Sequence, residues 1–244
     1  MKKEYWIILI IYIGMQFSSL VGVPLFSFAG TLLGQDGKNA EILSVAYWLV
    51  FSFSVTLILV LFLLRKEMSE SRFNRSTDQS MGSNIGWGLA GIFLAMASQS
   101  IAASIENMLG VEMGSKNTQQ IIHIIETLPI VMLVSSIIGP ILEEIVFRKI
   151  IFGSLYKKYN FFISALISSV IFALAHFEPE HILLYSAMGF TFAFLYVRTK
   201  NILVPIFAHV AMNTIVVLIQ SIYKEDIERL IKETESIQNF IGGF

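Results

Sequence analysis

The sequence predicts an all-α fold, a polytopic transmembrane helix bundle of about seven spans within a range of six to eight. Three observations carry this. The 244-residue chain is 55% hydrophobic and only 14% charged, against roughly 25% charged in ordinary soluble domains, and its mean hydropathy is +0.70. Uncharged windows near the ~20 residues of helix that cross a bilayer recur along it. Lys and Arg gather in alternate connections between those windows, as the positive-inside rule expects.

The first window lies between Glu4 and Asp36, centred on WIILIIYIGMQFSSLVGVPLF. Lys2 and Lys3 before an apolar run also fit a signal peptide. The run is too long, however, and no small-x-small cleavage site follows it, so a retained first span is expected. The second window is Ile42 to Leu64 and the third Ile85 to Ile105. The fourth runs from near Leu128 to Tyr156, the fifth from Phe161 to His176 and the sixth from Ile182 to Val197. The seventh starts at Ile202 and ends near Tyr223. Residues 65–84, rich in Ser, Arg and Asn, read as a mobile cytoplasmic loop, and Leu109 to Glu126 as an extracytoplasmic connection. In the tail, 223–244, Ile227, Leu230, Ile231 and Ile237 recur at helical spacing, which suits an amphipathic helix on the membrane surface. Residues 1–222 thus form one membrane domain, its functional core at about 128–222.

Lys2 and Lys3, then Arg65, Lys66, Arg72 and Arg75, then Lys157 and Lys158, then Arg198 and Lys200 mark one side of the membrane. The intervening loops hold only Lys38 and Lys116. The basic side, with the N-terminus, is expected in the cytoplasm of a multi-pass cell-membrane protein. The Ile- and Lys-rich composition and short length look bacterial. The lipid bilayer is one partner. A net charge of −1 gives no basic field for a nucleic acid. The absence of Cys excludes disulfides, thiolate metal sites and a cysteine nucleophile.

Inside the windows few residues can do acid–base chemistry. Glu143, Glu144 and Arg148 lie in GPILEEIVFR, His176 ends the fifth window, and His209 and Asn213 lie in the seventh. A charge at the centre of a membrane helix costs roughly 2.5–3.5 kcal/mol on insertion scales, so retaining three within six positions needs a reason. Glu144 and Arg148 are four apart and can pair on one helix face. Glu143 lies about 100° around the helix and is free for another task. His209 and Asn213, again four apart, can face one cavity, and Phe172 stands one turn before His176. Counted from the basic ends at 1.5 Å per residue, Glu143 lies about 20 Å deep, His176 about 22 Å, His209 about 10 Å and Asn213 about 16 Å. They fall in one slab, expected to be reached from the basic side. Pro140 lacks an N–H and conflicts with the carbonyl of Ser136, which predicts a kink or widened turn beside Glu143. His123 and His181, beside Glu126 and Glu180 near predicted span ends, are expected to be solvated.

EEIVFR, FALAH and HVAMN match Glu-Glu-x-x-x-Arg, Phe-x-x-x-His and His-x-x-x-Asn motifs, in order and each in an apolar helix. Over roughly Val131 to Val217 the chain resembles the CPBP family, which covers type II CAAX prenyl endopeptidases and bacteriocin-processing or Abi proteins. The resemblance implies an intramembrane glutamic endopeptidase. Glu143 would be the base that activates water and His176 would help hold that water. His209 and Asn213 would stabilise the oxyanion, while Glu144, Arg148 and Phe172 would support the site.

The chemistry agrees with this, since amide hydrolysis needs a base near water and donors aimed at the developing oxyanion. No cofactor is implied. A zinc-dependent version of the same protease would use Glu143, His176 and His209 as ligands, but no His-Glu-x-x-His pattern is present. Two other classes compete. A non-proteolytic regulator or scaffold could keep the fold, and a transporter could use the same charges, though the inverted repeats expected there are not seen. The expected substrate is a hydrophobic peptide or membrane protein, with a pheromone or bacteriocin precursor preferred.

Overall fold

The computed structural model describes residues 1–34, 37–73, 80–223 and Arg229. The predicted tail helix therefore lies almost wholly outside the described residues. Eight helices follow one another, with no strand among the described residues. They are α1 (Lys3–Leu32), α2 (Gly37–Phe73), α3 (Met81–Met108) and α4 (Lys116–Thr127). Then come α5 (131–155), α6 (Phe161–Leu174), α7 (Ile182–Thr199) and α8 (Leu203–Ile222). All but α4 coincide with a predicted window. Five of them, α1, α2, α3, α7 and α8, are long and apolar enough to cross a membrane. The other two are α6, with 14 residues, and α5, which carries the charged motif. Large apolar side chains such as Trp6, Leu20, Phe62 and Phe93 stand exposed on the outer helices. In water that would be costly, whereas a multi-pass protein turns such a girdle to lipid.

Two connections differ from expectation. Helix α2 continues to Phe73 and α3 starts at Met81, so helix covers much of the predicted loop at 65–84. Within the connection from Leu109 to Glu126, the chain forms α4. Ser115 caps it by accepting the Thr118 N–H. Its apolar face, Ile122 and Ile125, is buried against Ala46 of α2 and Val217 of α8.

Helix α5 is the axis of the fold. It touches α1, α2, α6, α7 and α8, and Leu142, Ile145, Val146, Phe147, Ile150 and Phe152 are buried on it. It is not a uniform α-helix. Two π-helical stretches, Val134–Ile138 and Glu144–Phe152, bracket the α-helical turn Gly139–Glu143. Pro140 supplies a cause for the first, because it cannot donate to Ser136 and the wider turn carries the chain past that missing bond. The widened turn beside Glu143 is therefore present.

Helix α7 packs closely on α6. A Cβ built on Gly189 would lie 3.0 Å from both Cα and Cβ of Ser169. Phe172 of α6 and Phe192 of α7 both reach the Arg148 guanidinium of α5. Gly189→Val should overpack this crossing and lower stability by about 1–3 kcal/mol. Thermal unfolding in detergent checks this, and a parental melting temperature would contradict it.

Candidate active site

Helices α5, α6 and α8 carry the motif residues to one place. Glu144 is fully buried, and its two oxygens have different partners. Oε1 meets Nδ1 of His209 at 2.9 Å, and Oε2 lies 3.4 Å from Nε of Arg148, one turn along α5. The guanidinium is also buried, with its central carbon 4.2 Å from the Phe172 ring centroid and 5.3 Å from that of Phe192. Aromatic faces thus replace water around a cation, a contact worth about 2 kcal/mol or more when desolvated. Nη1 and Nη2 of Arg148 and Oε2 of Glu144 have no hydrogen-bond partner, so the aromatic cage and the ion pair are what hold the charge.

His209 stands between the two glutamates. Nδ1 bonds Glu144, while Nε2 faces Oε2 of Glu143 at 3.7 Å. A carboxylate can only accept, so Nδ1 carries the proton in that bond. Phe192 stacks on the ring, with centroids 4.5 Å apart and planes at 20°. The sequence reading joins Glu144 to Arg148 alone, whereas here Glu144 also orients His209.

His176 lies just past the end of α6. Its Nδ1 donates to the carbonyl of Phe172 at 2.8 Å, so in the neutral ring Nε2 is the acceptor. The Phe172 ring packs edge-on against His176 at 4.6 Å. Phe172 therefore serves two groups of the motif, touching His176 with its edge and Arg148 with its face.

The exposures divide the motif in two. Glu144, Arg148 and Phe172 are buried outside the cavity lining, and His209, also buried, belongs to both groups. Glu143, whose side chain is 20% exposed, lines a cavity of about 450 Å³ together with His176, His209 and Asn213. Leu49, Phe53, Ile121, Val131, Met188 and Met212 give that cavity apolar walls. The predicted approach from the basic side is corrected here. The cavity runs from Glu143 towards Glu106, Glu112, Ser115, Thr118 and Gln220, at the α4 end of the bundle. At the basic end Glu67 takes Lys149 at 2.8 Å, Lys2 at 2.9 Å and the Tyr5 hydroxyl at 2.8 Å. Depth counted along a helix locates a group but does not say which end is open.

His123 is exposed and 3.6 Å from Glu126, as expected. His181 is a correction. It is buried, with Nδ1 2.9 Å from Glu106 Oε2 and Nε2 donating to the carbonyl of Gly114 at 3.2 Å. The other Glu106 oxygen accepts the Leu184 N–H. Its sequence neighbour Glu180 pairs instead with Lys116 at 3.5 Å. Among the described residues no three His, Cys, Asp or Glu groups are arranged to hold a metal ion.

The model of the Rce1-like type II CAAX prenyl endopeptidases matches residues 125–215, a stretch that contains every motif residue. The whole chain is 49% identical to the Bacillus subtilis (strain 168) protein named "Putative membrane peptidase YdiL", covering 99% of it. Over 93% of each chain it is 32% identical to "Membrane-embedded CAAX protease MroQ" of Staphylococcus aureus (strain USA300). No solved structure matches it.

Removing one partner of a buried ion pair leaves the other uncompensated, at a cost of about 3–5 kcal/mol. Arg148→Ala should therefore unfold at lower temperature and accumulate poorly in membranes. Parental stability with lost activity would instead make Arg148 a contact of the reacting peptide.

Proposed function

The chain belongs to the Rce1-like type II CAAX prenyl endopeptidase family of membrane peptidases, and from that premise we propose an intramembrane glutamic endopeptidase centred on Glu143. The supporting observation is the contrast within the Glu-Glu pair. Glu144 is buried between His209 and Arg148, while Glu143 faces the cavity with His209 as its near neighbour.

Glu143 takes a proton from water held beside Nε2 of His176. The hydroxide attacks the peptide carbonyl, and the oxyanion receives hydrogen bonds from Nε2 of His209 and the amide of Asn213. Glu143 then passes its proton to the leaving amine, giving a new carboxylate and a new amino terminus. For His209 to donate at Nε2 as well as Nδ1 it must be an imidazolium.

The apolar walls of the cavity favour a hydrophobic peptide or a membrane-protein segment as substrate, with a pheromone or bacteriocin precursor as the specific candidate. The basic end of the bundle is cytoplasmic, in a bacterial membrane. The cavity then opens on the opposite face, where α4 lies.

Glu143→Gln keeps size and polarity but removes the base, so hydrolysis should fall on the order of 10²-fold or more. Asn213→Ala should lose roughly 10²–10³-fold if its amide donates to the oxyanion. Comparing membrane peptides from cells carrying parental and Glu143→Gln protein reads the first directly, because uncut precursor should accumulate. Unchanged processing would remove Glu143 as the base. Chelators should leave the purified enzyme active, and inactivation reversed by zinc would make Glu143, His176 and His209 ligands.

The chain's lack of Cys makes topology testable with single introduced thiols. Thr118→Cys should react with a membrane-impermeant maleimide in intact cells, and Lys158→Cys only after lysis. The reverse pattern would invert the orientation.

A further inference from the structure

His176 lies beyond the last turn of its helix and is tied back to it through Phe172 and Ala173. Helix α6 ends at Leu174, and Phe177 adopts a φ of +56°, a left-handed conformation that is unfavourable for a residue with a side chain. A ring that must hold a water in register therefore needs further support from elsewhere.

That support comes from α7 and α4. Tyr185, in the first turn of α7, lies over the His176 imidazole with centroids 3.9 Å apart and planes at 23°. Its hydroxyl donates to Oε2 of Glu178 at 2.6 Å. The Ser115 hydroxyl donates to the same oxygen at 2.8 Å, and the Asn117 N–H to Oε1 at 2.9 Å. The Asn117 side chain donates to the carbonyl of His176 itself. Burial pushes the Glu178 carboxyl up, but the bonds from Tyr185, Asn117 and Ser115 outweigh burial and hold it below its ordinary value. Glu178 is thus a carboxylate near neutral pH and a strong acceptor for the Tyr185 hydroxyl.

Each contact fixes a different freedom. The Phe172 carbonyl sets the tautomer, Tyr185 and Phe172 set the ring plane, and Asn117 sets the backbone. We propose that Tyr185, oriented by Glu178, is a positioning residue for His176, presenting Nε2 to the water that Glu143 activates. This rests on the reading of His176 as the residue that holds that water. It also gives α4 a part in the reaction, since Ser115 and Asn117 anchor Glu178 from the start of that helix.

The test uses the full-length protein in detergent micelles, with Tyr185→Leu, Tyr185→Phe, Glu178→Gln and His176→Ala. One readout is hydrolysis of a quenched fluorescent copy of a peptide that accumulates in Glu143→Gln membranes. The second needs no substrate. The chain has four histidines, so nitrogen-15 NMR can identify His176 by the signal that His176→Ala loses, and read its tautomer.

Tyr185→Leu should lower kcat by ~10–10²-fold with little change in KM, as expected for a small misplacement of a reacting group. It should also turn the single Nδ1–H tautomer into a mixture. Tyr185→Phe keeps the stacked ring but loses the bond to Glu178, so it and Glu178→Gln should both fall between parental protein and Tyr185→Leu. A merely structural role would instead reduce accumulation and raise KM, without rescue by Phe. Parental kcat or an unchanged tautomer in Tyr185→Leu, beside an inactive His176→Ala, would overturn this proposal alone. An active His176→Ala would overturn the underlying reading and this proposal with it. If Tyr185→Leu fails to accumulate, Glu178→Gln decides, and a parental rate and tautomer there would overturn the proposal.

Discussion

The structure depends on how one buried carboxylate is neutralised. Glu144 has no exposed surface, and it meets Arg148 with one oxygen and His209 with the other. An isolated charge at that depth would be expelled or protonated. Here the cation is itself wedged between Phe172 and Phe192, so helices α5, α6, α7 and α8 must come together before any of the charges is stable. The cluster thereby specifies which helices are neighbours, and it sets the plane of His209 from below (Glu144) and from one side (Phe192). What faces the cavity is then the remainder of the motif.

The π-helical turns of α5 belong to the same account. Pro140 prevents the regular helical bond to Ser136, and the chain widens immediately before the Gly139–Glu143 turn and again after it. Such stretches survive in a membrane where they are packed in protein or line a cavity. Here they do both, since Val134, Ser135 and Gly139 line the cavity while Ile145, Val146 and Phe147 are buried. The cavity is bordered by α4, whereas the ion pairs of Glu67 stand at the basic end, outside its lining.

Much of this is legible in the sequence, for physical reasons that also mark where legibility stops. Seven apolar windows correspond to seven helices because burying a backbone in lipid leaves helix as the available solution. The i, i+4 spacing of Glu144 and Arg148 and of His209 and Asn213 places each pair on one face, since that relation is local. Helix α4 reads as a connection, because its apolar face is only a few isoleucines wide. His181 reads as solvated because its visible neighbour is Glu180. Its actual partner, Glu106, is 75 residues away, and no local pattern reports a contact of that kind. Tyr185 and Phe192 carry no signal either. In an apolar helix an aromatic residue that stacks on a histidine looks like any other core residue. Residues 224–228 and 230–244 lie outside the described structure, so the amphipathic tail stays an expectation of the sequence alone.

The central claim is that Glu144 acts through His209, the two forming one unit that presents a proton opposite Glu143. A double-mutant cycle on kcat addresses it most directly, using Glu144→Gln, His209→Gln and the pair together. Residues that act as a unit are strongly non-additive. The double variant should therefore be no slower than the slower single variant. Independent losses that multiply in the double variant would contradict the account, and would separate the buried carboxylate from the chemistry it is held to support.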